Sequence, residues 1–156
     1  MRKAELKTYW RYFQYVLEHK KNVFIEAMKR GCIIHAFTHD LSKFLPCEFF
    51  AYATKFFGGD YAYKYFEVED AFEAAWHHHY HTNKHHWNYW LTDKSVPLEI
   101  PGRYIKQMVI DWAAMSRKFG DTPLEFYAKN KNKIILHRDT KGKLEQILKY
   151  QKSSER

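Results

Sequence analysis

Glycine and proline are scarce in this chain, at six and four of 156 residues. Turn-rich β architectures use both freely, so the shortage points to long helices. Cysteine is rarer still. Cys32 and Cys47 form neither a metal-spaced pair nor a disulfide framework, and the expectation is reduced thiols in a cytoplasmic protein. No run approaches the ~18 apolar residues of a membrane span. The N-terminal Met-Arg-Lys-Ala-Glu-Leu-Lys lacks the apolar core of a secretory signal. Also missing are a Walker-type phosphate loop, a Rossmann glycine fingerprint, a His-Glu-x-x-His zinc motif and a Gly-x-Ser-x-Gly elbow around Ser42. The enzyme classes built on those motifs have no support here.

What the chain does have is apolar and aromatic mass. Hydrophobic residues make up 46% and aromatic ones 19%, enough to bury a core and to argue against disorder. The length suits one domain, expected over residues 1–150 with a polar tail at 151–156. The net charge is +8, which favours anionic partners: phosphate esters, nucleotides or nucleic acid. Much of that excess is terminal, since residues 129–156 hold nine Lys/Arg against three Asp/Glu. Such a segment serves solubility at least as well as recognition.

Apolar residues recurring at spacings of three and four predict an all-α, single-domain helical bundle. Residues 3–29 read as one amphipathic helix whose apolar positions include Tyr9, Trp10, Phe13, Val16, Leu17, Phe24 and Met28, stopped at Gly31. A short helix over 32–40 carries His35, His39 and Asp40. Helices follow at 47–57, after Pro46, and at 67–90. Others are expected at 102–119, from Asp121-Thr122-Pro123, and at 140–151 with Thr140 as its cap.

Six of the ten histidines fall between His77 and His86. Neutral imidazole is the commonest side-chain metal ligand. At about 100° per residue, His79, Asn83 and His86 share the core stripe of the 67–90 helix with Phe72, Trp76 and Trp90. His77 and His81 face water, and His78 and His85 lie at the margin. A break near Asn83-Lys84 would instead make His85 and His86 the start of a new segment. The bland alternative is an aromatic core whose imidazoles are each satisfied by a hydrogen bond.

Sparser residues strengthen the metal reading. Asp111 points close to the apolar face set by Tyr104, Ile105, Met108, Trp112, Met115 and Phe119, where a carboxylate needs a cation or a salt bridge. His39 and Asp40 diverge by about 100° on a helix, so both reach one ion only at a helix end. The Leu41–Pro46 segment supplies that end. His19 sits at the edge of the first helix's apolar face, near Tyr12, Val16 and Val23.

The order His19, His39-Asp40, histidine cluster, Asp111 resembles the HD-domain superfamily of metal-dependent phosphohydrolases. The resemblance implies an HD-like helical fold with His19, His39, Asp40 and Asp111 around one metal. It also implies a second metal for members with inserted histidines, a slot that His79 and His86 fit, with His85 as substitute. His39-Asp40-Leu41-Ser42-Lys43 is similar to the superfamily's His-Asp-x-x-Lys form, which assigns Lys43 to substrate phosphate or the metal-activated water. The Gly-Tyr-Pro signature of the cyclic-dinucleotide branch is absent. The wording His39-Asp-Leu-Ser-Lys-Phe, Asn83-Lys-His-His-Trp-Asn-Tyr-Trp90 and Asp111-Trp112 also resembles an uncharacterised family of bacteria and their phages, over roughly residues 15–127.

Imidazoles with carboxylates suit Mn, Fe, Co, Ni or Zn, as one or two ions. The expectation is therefore hydrolysis of a nucleotide or small phosphate ester. Asp40 would orient the attacking water and Lys43 offset developing charge. Asn83 and His85 would contact substrate, and rings such as Trp87, Tyr89 or Trp90 could stack on a base. Two rivals use the same residues differently: an HD-fold di-iron oxygenase, and a non-catalytic basic protein that binds nucleic acid. The oligomeric state is not legible in the sequence.

Overall fold

The structure is a computed structural model. It describes residues 6–60 and 66–154, with side chains to residue 150. The described residues form helices and turns, with no strand beyond an isolated bridge between Leu91 and Pro97. The chain is all-α.

Helix α1 (Leu6–Lys29) ends where expected. Gly31 adopts φ 68°. The Cys32 N–H then reaches the Ala27 carbonyl at 2.8 Å, and the Gly31 N–H reaches that of Met28 at 3.1 Å. This double closure satisfies the last carbonyls, and only glycine enters it without steric cost. α2 (Ile33–Thr38) is one short piece, followed by a 3-10 turn at Leu41–Phe44. α3 (Pro46–Phe57) begins with its proline in the first turn. α4 (Phe66–Thr82), α5 (Gly102–Phe119), α6 (Pro123–Asn130) and α7 (Arg138–Ser154) complete the chain. Thr122 and Glu125 close a reciprocal capping box at the start of α6.

Three expectations need correcting. The 67–90 helix stops at Thr82. The Asn83 amide bonds back to the His79 carbonyl at 2.8 Å and to Ser42 Oγ at 2.9 Å, and the Trp90 indole N–H takes the Lys84 carbonyl at 2.8 Å. The Thr82 hydroxyl also donates to the His78 carbonyl at 2.7 Å, so side chains cover carbonyls of the last turn, and a 3-10 turn covers Trp87–Trp90. Thr140 does not cap the last helix. It is fully buried inside α7, where its hydroxyl accepts the Ile100 N–H at 2.9 Å and ties down the preceding loop. That helix also begins earlier, at Arg138, and continues to Ser154, through most of the expected tail. The tail's last two residues lie outside the described residues.

α1 packs against α2, α3 and α5; α3 against α4; α5 against α6 and α7. Three apolar clusters result. Tyr12, Val16, Tyr52, Ala53 and Ala75 join α1, α3 and α4. Val23, Ala27, Ala36, Ile110 and Ala114 join α1, α2 and α5. Ile105, Met108, Trp112, Tyr127, Leu144 and Leu148 join α5, α6 and α7. His19 lies on α1 between Val16 of one cluster and Val23 of the next, which places it where the helix layers meet.

Candidate metal centre

Each element delivers its ligand atoms for a local reason. α1 presents His19 from its buried stripe, one turn after Val16. α5 presents Asp111 between the buried Ile110 and Trp112, with its carboxylate half-turned into the interior. His39 and Asp40 come from the end of α2. Asp40 there takes φ 52° and ψ 33°, a left-handed conformation uncommon outside glycine, asparagine and aspartate. That kink lets two adjacent side chains converge instead of diverging.

The convergence is tight. His19 Nε2 lies 3.1 Å from His39 Nε2 and 3.1 Å from Asp111 Oδ1. His39 Nε2 is 3.3 Å from Asp40 Oδ2 and 3.5 Å from Asp111 Oδ1. The other carboxylate oxygen of Asp40 faces the histidine cluster, 3.6 Å from His79 Nε2 and 3.3 Å from His85 Nε2. His86 Nε2 is 2.9 Å from His79 Nε2. Donor atoms therefore gather into overlapping sets: His19, His39 and Asp40; His39, His85 and Asp111; Asp40, His79 and His86.

These spacings fit metal ions. Metal–ligand bonds of about 2.0–2.1 Å put neighbouring ligand atoms roughly 2.8–3.4 Å apart. A pair of bare imidazole nitrogens at such range repels unless a proton or a cation lies between them. Asp40 Oδ1 and His85 Nε2 are both buried without a hydrogen-bond partner, and an unpaired buried polar atom is costly. A cation shared by these atoms removes that cost.

The electrostatics sort the groups by proton. Burial would raise the pKa of Asp40, but His39 and Lys43 outweigh it and hold the carboxyl well below its usual range. Asp111 is likewise held low against burial by hydrogen bonds from His19 and His39. Burial pulls the His39 imidazole down, yet Asp40 and Asp111 raise it to about 9. Burial, with neighbouring imidazoles, lowers His85 well below the usual histidine range. Burial above all brings His86 to about 4. Both offer bare nitrogens at neutral pH. Lys43 Nζ sits 2.7 Å from Asp40 Oδ2, and the carboxylates outweigh its burial and keep it protonated.

A second layer holds the imidazoles in place. Glu48 is fully buried on α3 and accepts from His79 Nδ1 at 2.9 Å, His78 Nδ1 at 2.6 Å and Ser42 Oγ at 3.0 Å. A carboxylate on Nδ1 fixes the tautomer that leaves Nε2 free for a metal. Glu48 carried no signal in the sequence, because an acidic residue just after a helix-starting proline is ordinary dipole chemistry. His35 was also passed over. It is buried edge-on against His39, with ring centroids 4.9 Å apart, and burial lowers it to about 4. Its place four residues before His39 was the available clue.

The expected site residues divide accordingly. His19, His39, Asp40, Asp111, His79 and His86 meet in one cluster, and His85 joins them because the helix breaks. His77 and His81 are exposed, as expected. Lys43 touches Asp40. Asn83 stands behind the cluster, with its amide bonded to Ser42 and the His79 carbonyl. Asp111's partners are imidazoles, not the Lys or Arg of a simple salt bridge.

A cleft of about 580 Å³ opens directly over the cluster, with His85, His86 and Asp111 in its lining. Trp76, Trp87, Trp112 and Phe126 form aromatic wall, and Lys133 brings a cation to the lining. Trp87 is thus where a base-stacking ring was expected. Tyr89 and Trp90 do not line it; Trp90 instead packs against Tyr104, with ring centroids 5.5 Å apart.

No helix among the described residues is long and apolar enough to cross a membrane. No curated protein and no solved structure matches the chain. One family model does, across residues 8–150, a span that takes in every residue of the cluster and of the cleft. By that match the chain belongs to the family of unknown function DUF5662.

Proposed function

We propose that this protein is a metal-dependent phosphohydrolase acting on a nucleotide or a small phosphate ester. One observation carries the reading: Asp40 presents one oxygen to His39 and the other to His79 and His85, and the cluster opens through His85, His86 and Asp111 onto an aromatic cleft. The order His19, His39-Asp40, Asp111, which resembles the HD-domain pattern, supports it from the sequence side.

His19, His39, Asp40 and Asp111 would hold one ion, and Asp40, His79 and His86 a second, with His85 available to either. Mixed imidazole and carboxylate donors suit Mn, Fe, Co, Ni or Zn. When bound, such an ion supplies Lewis acidity, which polarises a phosphoryl oxygen and acidifies water. The chain's own groups do the rest. Asp40 stays ionised and can accept a proton from the attacking water. Lys43 holds Asp40 in place and brings positive charge to a site where negative charge builds. His85, neutral and at the cleft floor, is placed to hydrogen-bond a phosphate oxygen. The aromatic walls would take an apolar or planar body, and Lys133 an anionic group. Cys32 and Cys47 are both free thiols, which suits a reducing compartment such as the cytoplasm.

The test is metal content by mass spectrometry, followed by turnover of a nucleotide and phosphomonoester panel with Mn, Co or Ni. Bound transition metal and metal-dependent phosphate release are expected. Protein that takes up no transition metal and releases no phosphate across the panel sinks the proposal.

The di-iron oxygenase remains the second reading, because the sharing of Asp40 between two donor sets serves a mixed-valent di-iron pair equally well. Oxygen consumption by the iron-loaded protein, without phosphate release, would favour it. Nucleic-acid binding ranks third. Salt-sensitive binding unaffected by His39→Ala would favour that one.

A further inference from the structure

α1 carries two apolar stripes, and the fold uses only one. The buried stripe runs through Tyr12, Val16, His19, Val23 and Ala27. The other runs through Trp10, Phe13, Leu17, Phe24 and Met28, centred roughly a third of a turn away at about 100° per residue. Trp10 is 60% exposed, and Leu17, Phe24 and Met28 are also open to solvent. By periodicity all of these share the apolar face of one helix, and the fold leaves most of the second stripe uncovered.

Neighbouring elements extend that stripe into a surface. The Phe24 ring meets that of Phe37 on α2 at 5.4 Å between centroids, and Phe13 meets Phe44 of the 3-10 turn at 6.3 Å. Beside Phe37, α2 exposes Ile33 at 56% and Ile34 at 80%. Lys20 lies within the stripe, but its ammonium is held by the His39 carbonyl at 2.7 Å. At roughly 200 Å² per large side chain, the exposed fractions leave on the order of 900 Å² of apolar surface. A typical monomer's largest patch is about 300–600 Å². A stable interface takes about 800 Å² from each partner.

We infer that this face is the two-fold interface of a homodimer, with α1, α2 and the Leu41–Phe44 turn of one chain seated on the same elements of a second. The area carries the choice of occupant: one chain supplies what one side of a stable dimer needs. A stripe running the length of a 24-residue helix can pair with its own copy under a two-fold axis, which closes the assembly. The consequence reaches the metal centre. α2 and the turn expose Ile34 and Phe37 on one side and bury His39 and Asp40 on the other, so a partner on the outer side restrains the segment that positions two ligands.

Light scattering coupled to size exclusion, and sedimentation at about 1–100 µM, a span that brackets micromolar affinity, test this. The expected mass is twice the 19.0 kDa of one chain. Ile34→Glu and Phe37→Glu, each with helical circular dichroism intact, should weaken association at least 100-fold and run as monomers. Val96→Glu, which replaces an exposed apolar residue outside the face, should remain dimeric. A wild-type monomer throughout the range overturns the inference. So does a dimer indifferent to both α2 substitutions, or one dissociated by Val96→Glu. Binding of anionic vesicles by a wild-type chain that does not self-associate also overturns it.

Discussion

The buried Glu48 carboxylate accepts the Nδ1 proton of His79 at 2.9 Å and so turns His79 Nε2 toward Asp40 and His86. The two residues are 31 apart in sequence and come from α3 and α4. This contact orients the second donor set in a way that could hold a metal ion.

Glu48→Gln tests that role. The amide keeps the size but no longer demands a proton on His79 Nδ1. Loss of such an orienting partner costs about 10–100-fold in metal affinity. Titration calorimetry should show that loss for the weaker of two binding events. The tighter event, at His19, His39, Asp40 and Asp111, should change little. Equal weakening of both would contradict the division into two sets.

Asp40 belongs to both sets, and His86 to one. Asp40→Asn should therefore abolish stoichiometric metal altogether, while His86→Ala should leave about one ion per chain by elemental analysis. Asp40→Asn also strands the Lys43 ammonium, which lies 2.7 Å from the carboxylate. Removing one member of such a buried pair costs on the order of 3–5 kcal/mol, readable as a lower urea midpoint for the metal-free protein.

Metal-free protein should lose stability as the solution turns alkaline. His39 is raised from 6.5 to about 9 because Asp40 and Asp111 outweigh its burial. A raised pKa contributes stability that is fully present below 6.5 and lost as pH climbs through 9, here on the order of 3 kcal/mol. His35, His85 and His86 are lowered instead, so their contributions are present above 6.5 and fall away on the acid side. Melting temperatures of chelator-treated protein should thus drop by several degrees between pH 6.5 and 9.5. Metal must displace the His39 proton, so apparent affinity should rise with pH over the same window, by up to about tenfold per unit. A melting temperature flat across that window in the chelated protein would count against the charged His39.

The cleft makes a kinetic prediction that rests on the proposed hydrolysis. Lys133→Ala and Trp87→Ala remove a cation and a ring without touching a ligand. Each should raise KM about 10-fold with kcat nearly unchanged, since binding is lost equally from ground state and transition state. A fall in kcat at constant KM would assign these residues to the chemistry instead.

Much of the helical frame was legible because helix signals are local. Gly31, Pro46 and Gly120 mark ends that neighbouring residues alone enforce, and the three-and-four spacing of Val16, His19 and Val23 needs only one helix to be read. His19, His39, Asp40 and Asp111 were legible one by one as polar residues at or near apolar faces, while their grouping around one metal came from the resemblance to the HD-domain pattern. The break after Thr82 stood in the sequence only as an alternative near Asn83-Lys84; what decides it is Asn83 finding Ser42, which is 41 residues away. Glu48 was not legible, because its partners come from the Leu41–Phe44 turn and from α4.

The sequence by itself determined most of the helices, the candidate donors and the apolar face of α1. Helix periodicity and side-chain chemistry are properties of short segments. Only the tertiary structure decided which imidazoles face which carboxylates. It brought His85 inward through a broken helix and kinked Asp40 so that it reaches both donor sets. It also left the second stripe of α1 uncovered. Each of these depends on contacts between residues far apart in the chain, whose energies no local pattern contains.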